Sequence, residues 1–212
     1  MQYAGKALIP APHGQLEAIY RPGATQGARA ALVLHPHPQY GGTMHNKVVF
    51  HCARALQEAG FATLRFNFRG VEESTGSYDN GRGEIDDARI ALDFLLARES
   101  GAKEVLVAGF SFGAGIGLRF GCADQRVDRL IAIGTPTGFG GFVDAPLLAG
   151  CTKPKLFVHG GRDDLAPLAG LRKLLEELPA SNPAKLVELP AASHFFDDHL
   201  DELRAAILAF VG

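Results

Sequence analysis

The chain has 212 residues, 47% of them hydrophobic, and sets 21 Lys and Arg against 23 Asp and Glu for a formal net charge of −2. That length and apolar content suit one globular domain over residues 1–212 with a sizeable core. No like-charge block or basic face points to nucleic acid or an anionic membrane, and no apolar run approaches the ~18 residues that span a bilayer. Met1–Pro10 lacks the basic and then apolar order of a secretory signal. Cys52, Cys122 and Cys151 form an odd, sparse set, each beside apolar residues, and read as small buried hydrophobes rather than halves of disulfides. The expected compartment is the cytoplasm.

Residues 5–9 and 15–20 are short extended stretches parted by Pro10, Pro12 and Gly14, which predicts an N-terminal hairpin. A polar turn, Arg21 to Gly27, leads to a buried strand over Ala30–Leu34 that ends at His35-Pro36-His37-Pro38. The spacing of Val48, Val49, Cys52 and Leu56 predicts a helix over Thr43–Ala59, with Gly60 placed to end it. Phe61–Phe66 is the next strand, a loop covers Asn67–Gly83, and a helix runs near Glu84–Glu99. Strands follow at Glu104–Ala108, Arg129–Ile133, Lys155–Val158 and Lys185–Leu189. Helices follow at Phe112–Ala123, around Leu168–Leu178, and at Phe196–Val211. Strands alternating with helices at this spacing predict an α/β fold, a doubly wound, mostly parallel sheet with helices on both faces.

The chemistry centres on Gly109-Phe110-Ser111-Phe112-Gly113, set between a buried strand and a helix. Gly-x-Ser-x-Gly in that setting is a nucleophile elbow, in which a strained turn lifts the serine hydroxyl above the sheet. A serine hydroxyl is a weak nucleophile at neutral pH and needs a base, which in turn needs an orienting carboxylate. The loop after strand 155–158 supplies Asp163 and Asp164, and the loop after the last strand supplies His194, so chain order is serine, acid, histidine. An oxyanion calls for two donors. The Phe112 amide is one. Pro36 and Pro38 have no N–H, which leaves the His37 amide as the leading second donor, with Gly41 and Gly42 behind it.

These segments resemble the α/β-hydrolase superfamily, in the neighbourhood of dienelactone hydrolases and small bacterial serine esterases, over nearly all of the chain from about Ala30. The likeness is carried by His35-Pro36-His37-Pro38 with Gly41-Gly42, Arg65 to Gly70, Gly109 to Gly113, His159 to Pro167, and Ser193-His194-Phe195-Phe196. Similar proteins usually have glycine two residues after the Arg-Gly of the second segment, where this chain has Glu72. The resemblance implies a cofactor-free serine hydrolase of small esters, with Ser111 as nucleophile, His194 as base and Asp163 as the acid. By position, Asp164 instead reads as a cap for the following helix. Larger relatives carry a helical cap between the strands around Thr135 and Lys155. Here that interval is short and glycine-rich, with only Phe139 to Leu148 able to cover anything, which implies no substantial lid.

Other readings stay open at this stage. The same triad serves thioesterases and peptidases, and a non-catalytic binding protein could keep the fold. His35-x-His37 could pair as metal ligands, although no matching His or Asp set follows and no metal is expected. No Gly-x-Gly-x-x-Gly or phosphate-binding loop occurs, so no nucleotide cofactor is expected. Phe110, Phe112, Phe195 and Phe196 flank catalytic positions; at least two should be core, and one or more could wall an acyl pocket. Asp197, Asp198 and Asp201 read as surface acids at the start of the last helix. The expected partner is a small ester-like molecule; the oligomeric state is open.

Overall fold

The computed structural model describes residues 5–137 and 143–212. Eight strands form one sheet: β1 (Gly5–Ala11), β2 (Gly14–Arg21), β3 (Arg29–Leu34), β4 (Ala62–Phe66), β5 (Glu104–Phe110), β6 (Arg129–Ile133), β7 (Lys155–Gly160) and β8 (Ala184–Leu189). Their spatial order is β1-β2-β4-β3-β5-β6-β7-β8. β1 and β2 form the expected antiparallel hairpin, β2 joins β4 antiparallel, and every other pairing is parallel. Six helices accompany them: α1 (Lys47–Glu58), α2 (Arg82–Arg98), α3 (Phe112–Ala123), α4 (Ala145–Gly150), α5 (Leu168–Glu176) and α6 (Leu200–Val211). No helix among the described residues is long and apolar enough to cross a membrane.

The period of two along each central strand divides the core. Ala30, Leu32 and Leu34 of β3 face one side with Val105 and Val107 of β5, packed by α2 and α3. Ala31 and Val33 face the other with Leu106, Ala108 and Phe110, packed by α1 and α6. Strands that bury both faces this way need helices on each side, which is why the run reads as apolar rather than alternating. From β3 the chain crosses to β4 on one side and later to β5 on the other. The crevice between the carboxyl ends of β3 and β5 is therefore the switch point where α/β folds hold ligands.

Three boundaries differ from the sequence reading. α1 starts at Lys47 rather than Thr43, because Asn46 caps it by accepting from the Val48 amide at 2.9 Å while Thr43–Asn46 closes a turn. α6 starts at Leu200 rather than Phe196. Phe196 and Asp198 take positive φ of 55° and 62°, which breaks the helix and lets Phe196 turn into the core. Of the three acids there, only Asp201 lies in the first turn of α6; Asp197 pairs with Lys47 instead. α4 was not evident in the periodicity; it is a single short helix capped by Asp144, whose carboxylate accepts from Leu147 at 2.8 Å. Among the described residues it is the only regular element between β6 and β7. Part of the Phe139–Leu148 stretch singled out from sequence lies outside the described residues.

Two braces position the loops at the carboxyl ends of β3 and β4. His35 is fully buried; its Nδ1–H donates to the Pro36 carbonyl at 2.6 Å and its Nε2 accepts from the Phe68 amide at 2.9 Å. Asn67, also fully buried, accepts from Met44 at 2.8 Å and donates to Glu17 at 2.9 Å and Glu72 at 2.6 Å. Glu72 does adopt the left-handed conformation that glycine would take more easily, with φ of 49°, and its bond to Asn67 offsets that strain.

Two expectations follow for stability. A Cβ on Gly109 would overlap the Gly113 carbonyl, and one on Gly113 would lie 2.5 Å from the His35 carbonyl, so Gly109→Ala and Gly113→Ala each lose about 1–3 kcal/mol by overpacking. At Gly117 the Cβ would meet Val107 at 3.3 Å, and Gly117→Ala costs less because alanine gains about 1 kcal/mol of helix propensity. Urea melts of the three variants compare them directly; equal losses would refute the close-approach argument.

The second concerns acid. Burial pulls the His35 pKa down to about 3, so between that value and an unfolded value near ~6.5 the unfolded chain binds the extra proton. Stability is full above that window and falls as pH drops into it, by about 2 kcal/mol between pH ~6.5 and ~5 from this group. His35→Gln is less stable at neutral pH but loses less on acidification, as urea melts at pH ~7.5 and ~5 would record; parallel losses would refute the assignment.

Candidate active site

The elbow is built as its glycines require. Ser111 ends the β5 turn with φ 53° and ψ −119°, a conformation disfavoured for any residue with a side chain. It is held there by its amide, which donates to the Ile133 carbonyl at 2.8 Å, and by its carbonyl, which accepts from Ala114 at 2.8 Å to open α3. Phe112 is the first residue of α3, so its amide lies at the positive end of the helix.

Asp163 and His194 stand on the loops after β7 and β8. His194 Nδ1 lies 2.7 Å from Asp163 Oδ2, and both side chains are nearly buried. Since a carboxylate at neutral pH only accepts, Nδ1 carries the proton and Nε2 is the unprotonated nitrogen. The His194 ring packs 5.0 Å from the ring of Phe110, the residue before Ser111, and against Gly134, where a Cβ would come within 3.3 Å of the imidazole. The other Asp163 oxygen, Oδ1, accepts from the amides of Leu165 at 3.0 Å and Ala166 at 2.7 Å. Burial alone would raise the Asp163 pKa, but the His194 bond and the Ala166 amide outweigh it and hold the carboxyl below its ordinary value.

Asp164 is exposed and does not cap the next helix. α5 begins after Pro167 with no side-chain cap, and it is Asp163 that takes the turn's amides. One carboxylate therefore holds both the imidazole and the turn's amides, and neither aspartate caps α5.

On the other side of the elbow, His37 heads a single 3-10 turn, Pro38–Tyr40. Its carbonyl accepts from Tyr40 and Gly42, each at 3.1 Å. The Gly42 amide is thus committed to the turn and drops out as an oxyanion donor. The His37 ring packs 4.9 Å from the Phe112 ring, which sets its backbone beside the start of α3. Both nitrogens of His35 are engaged in the brace described above, so His35 and His37 do not form a free pair of metal ligands.

Of the four phenylalanines, Phe110, Phe112 and Phe196 are core, while Phe195 is 44% exposed. Among the described residues five large hydrophobic side chains are exposed, and three of them, Tyr40, Leu165 and Phe195, sit on the loops carrying His37, Asp163 and His194. The site has an apolar rim. Residues 138–142, which lie between β6 and α4, are outside the described region.

One polar residue in this neighbourhood was not singled out from sequence. His159 directly follows the apolar run Leu156-Phe157-Val158 of β7 and is fully buried behind the loop that carries Asp163. A polar side chain at the end of a buried apolar run is the available signal.

The family model described as the alpha/beta hydrolase fold matches residues 33–150. An uncharacterized protein of Rickettsia prowazekii is 36% identical over 201 residues, covering 92% of this chain and 84% of that protein. A solved α/β serine hydrolase without a lid from Xanthomonas campestris is 35% identical, covers 100% of this chain and 94% of its own, and superposes with a TM-score of 0.88. A solved α/β serine hydrolase homologue from Coxiella burnetii is 37% identical, covers 99% and 98%, and has a TM-score of 0.89. With the elbow, the sheet order and the interval between β6 and β7, these likenesses show that the chain belongs to the α/β-hydrolase family and lacks a substantial lid.

Proposed function

We propose that this protein is a serine hydrolase, specifically a carboxylesterase of small or short-chain esters, working through an acyl-enzyme without a cofactor. The observation that carries the reading is the buried 2.7 Å bond from His194 to Asp163, with the His194 ring packed on Phe110, the residue before a serine held at φ 53°. Ser111 Oγ attacks the ester carbonyl carbon while His194 Nε2 takes its proton. The negative oxygen that forms is stabilised by the Phe112 and His37 amides, the first aided by the α3 dipole. As the tetrahedral species collapses, His194 returns the proton to the departing alkoxide. Water then attacks the acyl-serine by the same route and releases the acid. Asp163 holds the His194 tautomer and stabilises the imidazolium while it exists.

Substrate size follows from the lidless interval and the apolar rim of Tyr40, Leu165 and Phe195. An open site offers little enclosed apolar area to a long acyl chain, so chain length adds little binding energy. The substrate is expected to be a small free molecule. Three free thiols, with Cys52 and Cys151 buried, suit a reducing compartment such as the cytoplasm.

Ser111→Ala abolishes hydrolysis of p-nitrophenyl acetate and labelling by a fluorophosphonate probe, with Tm nearly unchanged, since alanine asks no more of the strained turn than serine. Near-full turnover in that variant would put the nucleophile elsewhere. Asp163→Asn lowers kcat by about three to four orders of magnitude through the wrong His194 tautomer. Asp164→Ala, at an exposed position, changes stability by less than about 0.5 kcal/mol and leaves turnover intact. Side-by-side kinetics of the pair would reassign the acid if the pattern were reversed. Across p-nitrophenyl esters of increasing length, kcat/KM peaks at short acyl chains, and a preference for long-chain esters with activation at a lipid surface would contradict the open site.

A further inference from the structure

The triad leaves the buried histidine of β7 unexplained. His159 Nε2 lies 2.6 Å from the Ala166 carbonyl and 3.4 Å from Asp163 Oδ2, and its Nδ1 is buried with no hydrogen-bond partner. A carbonyl only accepts, so the proton sits on Nε2 and Nδ1 is a bare acceptor. Burial lowers the pKa of this ring, with His194 acting in the same direction, and keeps it neutral although Asp163 and, on the neighbouring strand, Glu188 pull the other way. An unpartnered buried acceptor is destabilising, a cost that a leucine at this place in the core would avoid.

What the ring contributes is a hold on the acid loop. The start of that loop is tied by the Gly161 amide to Leu189 at 2.8 Å and by the Arg162 amide to Ala192 at 3.0 Å. Its far end carries the Leu165 and Ala166 amides that bind Asp163 Oδ1, and there His159 grips the Ala166 carbonyl. The one residue thus gives its N–H to Asp163 and its carbonyl to His159. We propose that His159 is a positioning residue for Asp163, its Nε2–H fixing through Ala166 the turn that aims the carboxylate at His194. This rests on the triad reading. A neutral donor suits the task. A cation there would stand 3.4 Å from the same carboxylate oxygen and oppose the imidazolium that His194 must become.

Two substitutions separate donor from bulk. His159→Leu fills much of the space without an N–H, while His159→Gln keeps an N–H on a side chain of similar reach. Three readouts are taken: kcat and KM on p-nitrophenyl acetate, the acid limb of the kcat/KM profile, and the far-downfield proton resonance of the His194–Asp163 bond. In His159→Leu, kcat falls about 10- to 100-fold, in keeping with a small misplacement of a catalytic group, with KM within about twofold. The acid limb moves down by about half a pH unit or more, because a looser Asp163 no longer favours the imidazolium, and the downfield resonance weakens. His159→Gln recovers kcat to within about fivefold of wild type and restores the resonance. Should His159→Leu fail to fold, His159→Asn, too short to reach Ala166, carries the same expectation. Unchanged kcat, profile and resonance in the variants lacking the donor would overturn the proposal, whatever happens to Tm. So would a His159→Gln as impaired as His159→Leu. If the wild-type protein cleaves no ester, the triad reading fails on its own, and the resonance across the same variants still decides whether His159 positions Asp163.

Discussion

Ser111 can hold a left-handed backbone because β5, α3 and β3 approach one another more closely than side chains would permit. The Gly113 backbone lies against the carbonyls of Leu34 and His35, and Gly109 faces the Gly113 carbonyl. That approach lets the Ser111 amide reach Ile133 and the Ser111 carbonyl start α3 within a single residue of the strand's end. The strain is confined to one residue and carried by hydrogen bonds on both sides of it, which is how a turn of this kind persists. The rest of the site is arranged around it. The loop after β3 meets α3 through the His37 and Phe112 rings, and the loop after β8 meets β5 through His194 and Phe110.

Loops at strand ends are polar, and close to the core their backbone groups need partners. Two buried histidines supply them on opposite sides of the elbow. His35, just past β3, joins the loop after that strand to Phe68; His159, near the end of β7, joins the loop carrying Asp163 to the strand. Both rings are depressed in pKa by burial, so each works as a neutral donor. Histidine suits this place because its flat ring packs in an apolar layer while a nitrogen reaches beyond it. His194 lies close to the same layer but is differently placed, with one edge fixed by the carboxylate of Asp163.

The active side of the molecule therefore divides into parts with different tolerance. The elbow and the two braces lie within the packed layers, where a methyl group is felt. Tyr40, Leu165 and Phe195 stand partly in solvent on the surrounding loops, although Tyr40 packs on the His37 ring and Phe195 on those of His194 and Phe110.

Much of this was already determined by the order of residues. Alternation of apolar runs and amphipathic segments is set by local periodicity, so all eight strands and five of the six helices were legible, as was the serine at a strand-to-helix turn. What remained hidden depends on contacts between distant segments. The sequence placed a helix from Phe196, whereas the core takes the Phe196 ring and in doing so reverses φ there and at Asp198. It divided roles between adjacent aspartates, but a single carboxylate can accept from two amides and an imidazole at once, and whether it does depends on where Ala166 and His194 stand in space. Nor could it tell that His159 would face Ala166, since their bond arises only when the acid loop folds back on β7. Period and turn chemistry act over a few residues and can be read along the chain; the partners of buried polar atoms are chosen only when the sheet brings its loops together.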